Sequence, residues 1–534
     1  MIEVLMAERT PHQASSVSPM LRLAEVVASL SLATDVGTGQ PLERALRTCL
    51  LAFRLGQALG LSDNQLHTVY YVALLRFVGC TADAVHMADI FGDELAAQAQ
   101  VATVELLPLP MIMAMLRYAG EGYPLPQRLR KLSYGLSSGI ERTREAEVAH
   151  CEVSQNIAQR LGLGEAVRDA LGEIFERWDG RGVPGRARGE ALSTAIRLVH
   201  IAQDAVIFYR VGGVDGAQNA ARKRAGGFYD PQMAALFVRH ATTLLAELDQ
   251  VSIWETVLEL EPSPRLFLSE SQLDVAVRAI ADFSDLRSPY ARTHSSAVAE
   301  LSFAAARRCG LCGADALLVQ RAGYLHDLGR TTVPLTIWDK PGKLTPSEWE
   351  RVRLYPYYTE RLLARSPALA SIGALAALHR ERLDGSGYHR GLPGALLSPL
   401  VCLLAAADVY QSKIEPRAYR AAYTPEAARD ELRTQVRLGK LDQQAVEAVL
   451  SCVGEVRRAD RRVWPANLSE REVEVLRLIA RGLSTRQIAQ TLTISPKTAD
   501  HHIQHIYNKI GVSTRAAATL FAMQHNLLRE GFSE

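Results

Sequence analysis

Two adjacent side chains with metal-binding chemistry, His326 and Asp327, close an apolar stretch at residues 322–325. An imidazole nitrogen and a carboxylate oxygen can ligate one divalent ion when residues from elsewhere in the chain complete the shell. A neighbouring His and Asp also occur as a surface or capping arrangement with no metal. The pair alone leaves both interpretations open, so the surrounding sequence has to separate them.

Several segments around this pair share one family pattern: 322–330 (AGYLHDLGR), 340–346 (KPGKLTP), 379–388 (HRERLDGSGY), 390–394 (RGLPG) and 407–408 (AD). Together they resemble the HD-GYP family over about residues 282–425. The resemblance implies a helical bundle of the HD superfamily. Better-known members hydrolyse cyclic di-GMP at a centre of two or three metals, which activates water and clamps phosphate oxygens.

The resemblance also assigns metal ligands by position. It implies that one divalent transition metal (Mn, Fe or Zn) is held by an H…HD…D set, with Asp327 the residue on which any catalysis depends. His379 matches the first of a pair of histidines in the family and is a further candidate ligand. The predicted ligand set is therefore His294, His326, Asp327, Asp408 and His379.

Four departures from the family pattern fall on the rest of the centre. Tyr355 stands at the position of a ligating histidine, Arg380 replaces the second paired histidine, Arg330 replaces a lysine, and His389 replaces the proline of the GYP signature. A guanidinium stays protonated and cannot ligate a metal. A complete two-metal site is not expected, but Arg330 and Arg380 could hold a ligand phosphate bidentately.

An internal repeat organises the chain before its last 80 or so residues. Residues 176–183 (ERWDGRGV) return as 381–388 (ERLDGSGY), an offset of 205, and residues 59–61 (LGL) return as 309–311 (CGL), an offset of 250. The sequence therefore predicts two diverged copies of one helical domain, at residues 19–250 and 271–455.

The first copy lacks nearly every ligand of the second. At the positions of His294, His326-Asp327, His379-Arg380 and Asp408 it has the residues Arg44, Arg76, Phe77, Ile174, Phe175 and Gln203. Apolar side chains there would fill a metal cavity. Copy one is therefore predicted to be degenerate and to pair with copy two or with another protomer. Its His150, opposite Tyr355, is interpreted as a hydrogen-bonded or surface residue without a function.

Three helix starts are marked near the C-terminus. Ser469 with Glu472, and Ser484 with Gln487, have capping-box spacing, and Ser495 precedes a proline at the first helical position. On the helix from Ser495 the apolar residues share one side, and polar side chains suited to phosphates and base edges share the other. This pattern alone fits either a DNA-recognition helix or a solvated polar face.

The segments 468–489 (LSEREVEVLRLIARGLSTRQIA), 494–498 (ISPKT) and 509–512 (KIGV) resemble the LuxR-type DNA-binding domain. The resemblance implies a four-helix unit at residues 463–530, with a helix-turn-helix over residues 485–504 and a last helix, from about Thr514, that supports dimerisation. Asp500 departs from the family by placing an acid where a basic residue is usual. The predicted DNA-binding residues are Thr485, Arg486, Ser495, Lys497, Thr498, His501, His502, Gln504, His505, Asn508 and Lys509.

Composition is that of a globular protein, and apolar residues that recur at three- and four-residue spacing predict an all-α fold. The chain has 534 residues and a net charge of +2, and its last 74 residues contain ten Lys/Arg against six Asp/Glu, so the basic character lies where nucleic acid would bind. No run reaches the roughly 18 apolar residues of a membrane span. Seven sparse cysteines are interpreted as reduced thiols. The expected location is the bacterial cytoplasm, on the nucleoid when DNA is bound, with no membrane partner.

Three functions remain open from the sequence. The leading hypothesis is a homodimeric transcription regulator that binds double-stranded DNA and whose helical repeats sense a ligand such as a nucleotide second messenger. The rival is a metal-dependent cyclic di-GMP phosphodiesterase with a DNA-binding tail. The third is a protein-interaction scaffold, which an apolar pocket between the copy-two helices would support.

Overall fold

The computed structural model describes residues 21–102, 108–121, 123–453 and 464–528, and residues 1–20, 103–107, 122, 454–463 and 529–534 lie outside the described residues. Copy one contains ten described α-helices: α1 (Leu23–Gly37), α2 (Arg44–Ala58), α3 (Asp63–Leu75), α4 (Ala84–Phe91), α5 (Glu94–Val101), α6 (Pro108–Tyr118), α7 (Leu125–Arg160), α8 (Glu165–Gly172), α9 (Thr194–Arg224) and α10 (Pro231–Gln250). Helix α11 (Ile253–Glu259) follows it.

Copy two and the C-terminal module continue the all-helical architecture. Copy two contains α12 (Glu270–Leu286), α13 (His294–Arg308), α14 (Gly313–Leu325), α15 (Leu335–Trp338), α16 (Pro346–Arg353), α17 (Tyr355–Leu363), α18 (Pro367–Ala376), α19 (Pro399–Ile414), α20 (Pro425–Arg437) and α21 (Gln443–Val453). The module contains α22 (Glu470–Ala480), α23 (Thr485–Thr491), α24 (Pro496–Ile510) and α25 (Arg515–Gln524). The predicted fold class is confirmed, and no β-strand occurs in the described parts of the chain.

The two copies repeat each other element by element. Helices α2 and α3 begin and end 250 residues before α13 and α14, as does the 3-10 turn Val78–Ala82 before Leu328–Thr332. Both α2 and α13 follow a residue with positive φ, Glu43 at 71° and Thr293 at 67°. The offset of 205 returns in the 3-10 turns Gly189–Ala191 and Gly394–Leu396. The tandem arrangement predicted from two short motifs therefore extends to helix ends and backbone geometry.

One glycine in each copy marks a close approach of two backbone segments. A Cβ on Gly79 would lie 2.2 Å from the carbonyl oxygen of His150, and a Cβ on Gly329 would lie 2.0 Å from that of Tyr355. Neither contact could accommodate a side chain. The same approach in both copies confirms that His150 and Tyr355 are equivalent positions.

The C-terminal module has its own core and also docks on the helical repeats. All three predicted helix starts are present, with Ser469, Ser484 and Ser495 accepting backbone N–H groups at helices α22, α23 and α24. Leu520 and Met523 of α25 are buried in the large core shared with the repeats. At the same contact Glu152 of α7 accepts hydrogen bonds from Ser513 and Thr514.

Within the described ranges, no single helix is both long and apolar enough to cross a membrane, although the bent pair formed by 63–82 and 84–91 meets the length and composition requirement.

Candidate metal centre and DNA-binding face

Four of the predicted ligands meet at one point inside copy two. His294 is the first residue of α13, His326 and Asp327 follow the end of α14, and Asp408 projects from the middle of α19. The turn before α13 is fixed by Asp285, which accepts hydrogen bonds from the backbone N–H and the hydroxyl of Ser295 at 2.8 Å. All four ligand side chains are fully buried.

The distances between these side chains suit a single ion. The Nε2 atom of His294 lies 3.7 Å from Oδ2 of Asp327 and 3.4 Å from Oδ1 of Asp408. The Nε2 atom of His326 lies 3.5 Å and 3.9 Å from the same two oxygens. Ligand atoms about 2.1 Å from one ion would be separated by roughly 3–4 Å. His294, His326 and Asp327 by themselves already form a group with metal-site spacing.

Buried polar atoms without partners support the same interpretation. Among the described residues, Nε2 of His294, Nε2 of His326, Oδ1 of Asp327 and Oδ1 of Asp408 are all buried without a hydrogen-bond partner. Buried polar groups are rarely left unpaired, because each one costs about 1–3 kcal/mol. Three of these atoms, the two Nε2 atoms and Oδ1 of Asp408, face one another and Oδ2 of Asp327 across 3.4–3.9 Å. This arrangement fits a divalent cation, and the residues present therefore match the group that the HD set implies.

The outer nitrogens of both histidines are held by acceptors. Nδ1 of His294 donates to Glu415 at 2.8 Å, and Nδ1 of His326 donates to the carbonyl of Gly323 at 2.6 Å. A donor bond at Nδ1 leaves the lone pair of Nε2 free for a metal. Burial opposes the charged form of His294, but Glu415 and Asp408 outweigh it and raise its pKa to about 9, so a metal bound at Nε2 would displace a proton from that nitrogen. Burial likewise opposes ionisation of Asp327, yet Arg330 and nearby histidines hold the pKa of that carboxyl well below its usual range.

His379 lies beside the four ligands but is engaged elsewhere. Its Nδ1 donates to the carbonyl of Ala376 at 2.7 Å, so its Nε2 accepts the hydroxyl proton of Tyr355 at 2.6 Å. The same hydroxyl accepts a hydrogen bond from Nε of Arg380 at 2.8 Å. Tyr355 therefore occupies the lone pair that His379 would offer to a metal, and the role of His379 as a ligand stays a prediction.

The two arginines pair with the two carboxylates. Nη1 of Arg380 lies 3.2 Å from Oδ2 of Asp408, and Nη1 of Arg330 donates to Oδ2 of Asp327 at 2.5 Å. The Arg330 guanidinium also stacks 4.0 Å above the ring of Trp338. Arg380 thus supplies positive charge at the Asp408 oxygen that faces away from the histidines, whereas Arg330 binds the Asp327 oxygen that faces them. Each guanidinium has five N–H donors, so both retain donors for an incoming phosphate.

The equivalent site of copy one is filled by its own side chains. The guanidinium of Arg44 stacks 3.8 Å above Phe77 and pairs with Asp35 at 3.4 Å. Arg76 donates to the carbonyl of Ile174, and the Nε2–H of His150 donates to the carbonyl of Arg76 at 2.7 Å. These contacts agree with a packed, degenerate centre.

The predicted DNA-binding residues lie mainly on the outer side of α24. Arg486, Ser495, Lys497, Thr498, His501, Gln504, His505, Asn508 and Lys509 are exposed, whereas Thr485 and His502 are half-buried. Some of them also have partners inside the module. Ser495 caps α24, Thr485 accepts a hydrogen bond from Arg515, and Lys509 pairs with Glu472 at 2.7 Å. The exposed polar face opposite the buried stripe has the shape and chemistry that a major groove accepts.

Comparison with known proteins identifies both parts of the chain. The family described as "HD domain" matches residues 277–445, and "Bacterial regulatory proteins, luxR family" matches residues 466–522. The chain is 30% identical over 404 residues to the 3'3'-cGAMP-specific phosphodiesterase 3 of Vibrio cholerae, which covers 75% of this chain and 88% of that protein. It is 36% identical over 148 residues to a cyclic di-GMP phosphodiesterase response regulator of Xanthomonas campestris, covering 27% of this chain and 39% of that one.

A solved structure extends the likeness to the tandem fold. The crystal structure of a cyclic GMP-AMP specific phosphodiesterase of Vibrio cholerae matches with a TM-score of 0.57 and 26% identity, over 82% of this chain and 99% of that one. A match of this extent includes residues of both helical copies. The chain therefore belongs to the HD-GYP family of HD-domain proteins, and it carries a LuxR-type DNA-binding domain at residues 466–522.

Sequence reasoning missed the residues that orient the centre. Glu415, the partner of His294, lies seven residues beyond Asp408, as the first residue after the end of α19. That spacing is a usable signal. Trp338, under Arg330, and Arg287, which binds the loop after Asp327, lack a comparable signal, because their contacts depend on how distant segments meet.

Proposed function

We propose that this protein is a DNA-binding transcription regulator whose second HD-GYP copy holds one divalent ion and binds a cyclic dinucleotide without hydrolysing it efficiently. The observation that carries the proposal is the composition of the centre. Four buried ligand side chains face one ion position, and three of the facing atoms have no hydrogen-bond partner, whereas Arg380 and Tyr355 stand where the family places further ligands.

A bound ion would supply a Lewis acid and lower the pKa of a coordinated water. The chain's own residues favour retention of a ligand over its cleavage. Arg330 and Arg380 flank the carboxylates and can each donate two parallel N–H bonds to a phosphate. A guanidinium cannot ligate a second metal. The arrangement therefore stabilises a bound phosphodiester but activates the attacking water less than a two-metal centre would. The centre is buried, charged and polar, which argues against an apolar scaffold pocket.

A second candidate, a metal-dependent phosphodiesterase, is favoured by the intact ligand set and by the likeness to a cGAMP-specific phosphodiesterase over most of its length. Elemental analysis of the purified chain, with binding and turnover of 3'3'-cGAMP and cyclic di-GMP in manganese, separates the candidates. One ion with saturable binding and no turnover supports the regulator. Turnover that Asp327→Ala abolishes would establish the enzyme, and the absence of both ion and binding would contradict the proposal.

DNA binding is expected to depend on the outer face of α24. Gln504→Ala should weaken binding to a selected operator by about 1–3 kcal/mol and relax specificity at one base position. Lys497→Ala should weaken binding to all sequences alike and reduce the salt slope by about 1. Both effects are measurable by fluorescence anisotropy at several salt concentrations. Lys343→Ala, an exposed lysine of copy two, serves as the control and should change neither quantity.

The proposed DNA complex is a homodimer on a two-fold symmetric site. In the structure one face of α25 is covered, since Leu520 and Met523 are buried in the core shared with the repeats and Gln524 donates to Asn156 of α7 at 2.5 Å. A dimer formed through that face requires release of the module. Light scattering of the protein with and without operator DNA is expected to show two chains per site, and a 1:1 complex would contradict this part of the proposal.

A further inference from the structure

Copy one contains an extra segment next to the centre of copy two. Residue 79 is equivalent to residue 329, whereas residue 150 is equivalent to residue 355, so copy one is 45 residues longer between these points. Helices α4, α5 and α6 lie within this stretch. Helix α4 packs against α15 of copy two. The extra segment therefore contacts copy two through residues that have no equivalent in the other copy.

Glu94, the first residue of α5, crosses the boundary between the copies. Its side chain is 1% exposed and forms an ion pair with Arg287, which is 5% exposed. The same Oε1 atom accepts a hydrogen bond from the backbone N–H of Leu335 at 2.8 Å, at the start of α15. One carboxylate of copy one thus binds both a buried cation and a helix start of copy two.

Arg287 uses its other donors to hold the loop that follows the metal ligand Asp327. Its Nη1 donates to the carbonyls of Arg330, Thr331 and Val333 at 3.0, 2.9 and 2.9 Å. Three carbonyls on one guanidinium nitrogen fix the path of the 3-10 turn Leu328–Thr332. That turn carries Arg330, whose guanidinium bonds Asp327.

The second contact of Glu94 leads to the same centre. Helix α15 ends at Trp338, which stacks under Arg330 at 4.0 Å and packs edge-on against Tyr355 with ring centroids 5.3 Å apart. The Tyr355 hydroxyl bonds His379 and Arg380. Glu94 therefore anchors two segments, the 3-10 turn Leu328–Thr332 and helix α15, and each of them carries a side chain that contacts the metal centre.

We propose that Glu94 is a positioning residue, through which the extra segment of degenerate copy one fixes the loop and helix that shape the metal centre of copy two. The proposal gives copy one a role that needs no ligand of its own. Its consequence for metal binding rests on the proposed function, whereas its consequence for loop order does not. Loss of Glu94 leaves a buried guanidinium without a counter-charge, and Arg287 then shifts towards water and releases its carbonyls.

The test compares Glu94→Gln with Asp93→Asn in the full-length protein. Both replace an acid by its amide in an ion pair across the same boundary, but Asp93 pairs with Arg351 at 3.1 Å in a partly exposed position. Hydrogen exchange of residues 328–338 in metal-free protein is expected to quicken about tenfold or more in Glu94→Gln, which corresponds to about 1.4 kcal/mol of local stability, and to stay unchanged in Asp93→Asn. Equal exchange in Glu94→Gln and wild type would overturn the proposal.

Metal affinity and an epistasis test complete the experiment. Mn²⁺ titration is expected to show a dissociation constant about 10–100-fold higher in Glu94→Gln, the size typical for loss of a residue that orients ligands. Arg287→Gln should quicken exchange of the loop residues 328–333, and in that loop the double variant should be no faster than Arg287→Gln alone, because Glu94 reaches the loop through Arg287. Additive effects would contradict that route. If wild-type protein binds no Mn²⁺, the proposed metal site fails, and the exchange result still decides the role of Glu94.

Discussion

Replacement of His326 by alanine is expected to abolish tight binding of the divalent ion, with a loss of affinity of at least about 100-fold. His326 is one of the four side chains that face the ion position, and its Nε2 is buried without a hydrogen-bond partner. Elemental analysis of purified protein and isothermal titration with Mn²⁺ and Zn²⁺ measure the effect. Wild-type protein should contain one ion per chain, and the variant should contain none.

His379 supplies the matched control. Its ring lies 4.8 Å from that of His326 and is equally buried, but its Nε2 is taken by Tyr355. His379→Gln keeps a polar side chain there and should retain the ion within a few-fold of wild-type affinity. Circular dichroism of both variants establishes that they are folded. If His379→Gln loses the ion as completely as His326→Ala does, then His379 is a fifth ligand, and the Tyr355 hydroxyl must turn away when metal binds.

The sequence predicted what depends on local pattern and on repetition. Capping at Ser469, Ser484 and Ser495 follows from contacts within four residues, so the helix starts of the C-terminal module could be located from sequence. The two copies were visible because eight residues recur with the same glycine and acid positions. The HD set came from family resemblance, and the structure places His294 next to His326 although 32 residues separate them.

What the sequence did not predict depends on contacts between distant segments. Tyr355 could be identified as the residue at the position of a missing histidine ligand, but not as the group that bonds both His379 and Arg380. The pairing of Glu94 with Arg287 joins residues 193 positions apart, and no periodicity signals it. On α24, spacing identified the outer face, but Lys509 carries an ion pair with Glu472 that only the packed module reveals.

The double substitution Tyr355→His with Arg380→His is expected to create a second metal position and phosphodiesterase activity. Both residues stand where the family places ligating histidines, and both already lie within hydrogen-bond or ion-pair distance of His379 and Asp408. The change removes the Tyr355 hydroxyl from Nε2 of His379 and the Arg380 charge from Asp408. Elemental analysis should then give two ions per chain instead of one.

Turnover of cyclic di-GMP and 3'3'-cGAMP by this variant should exceed that of wild type by about 100-fold or more, because a second ion stabilises transition-state charge by several kcal/mol and each 1.36 kcal/mol is tenfold in rate. Arg380→Gln is the control, since it removes the guanidinium without adding a ligand and should leave one ion and no gain. A double variant that binds two ions without turnover would indicate that the substrate is wrongly positioned, and the residues around Arg330 would be the next to test. A variant that still binds one ion would contradict the prediction, because histidines at positions 355 and 380 would then not be sufficient to form a second metal site.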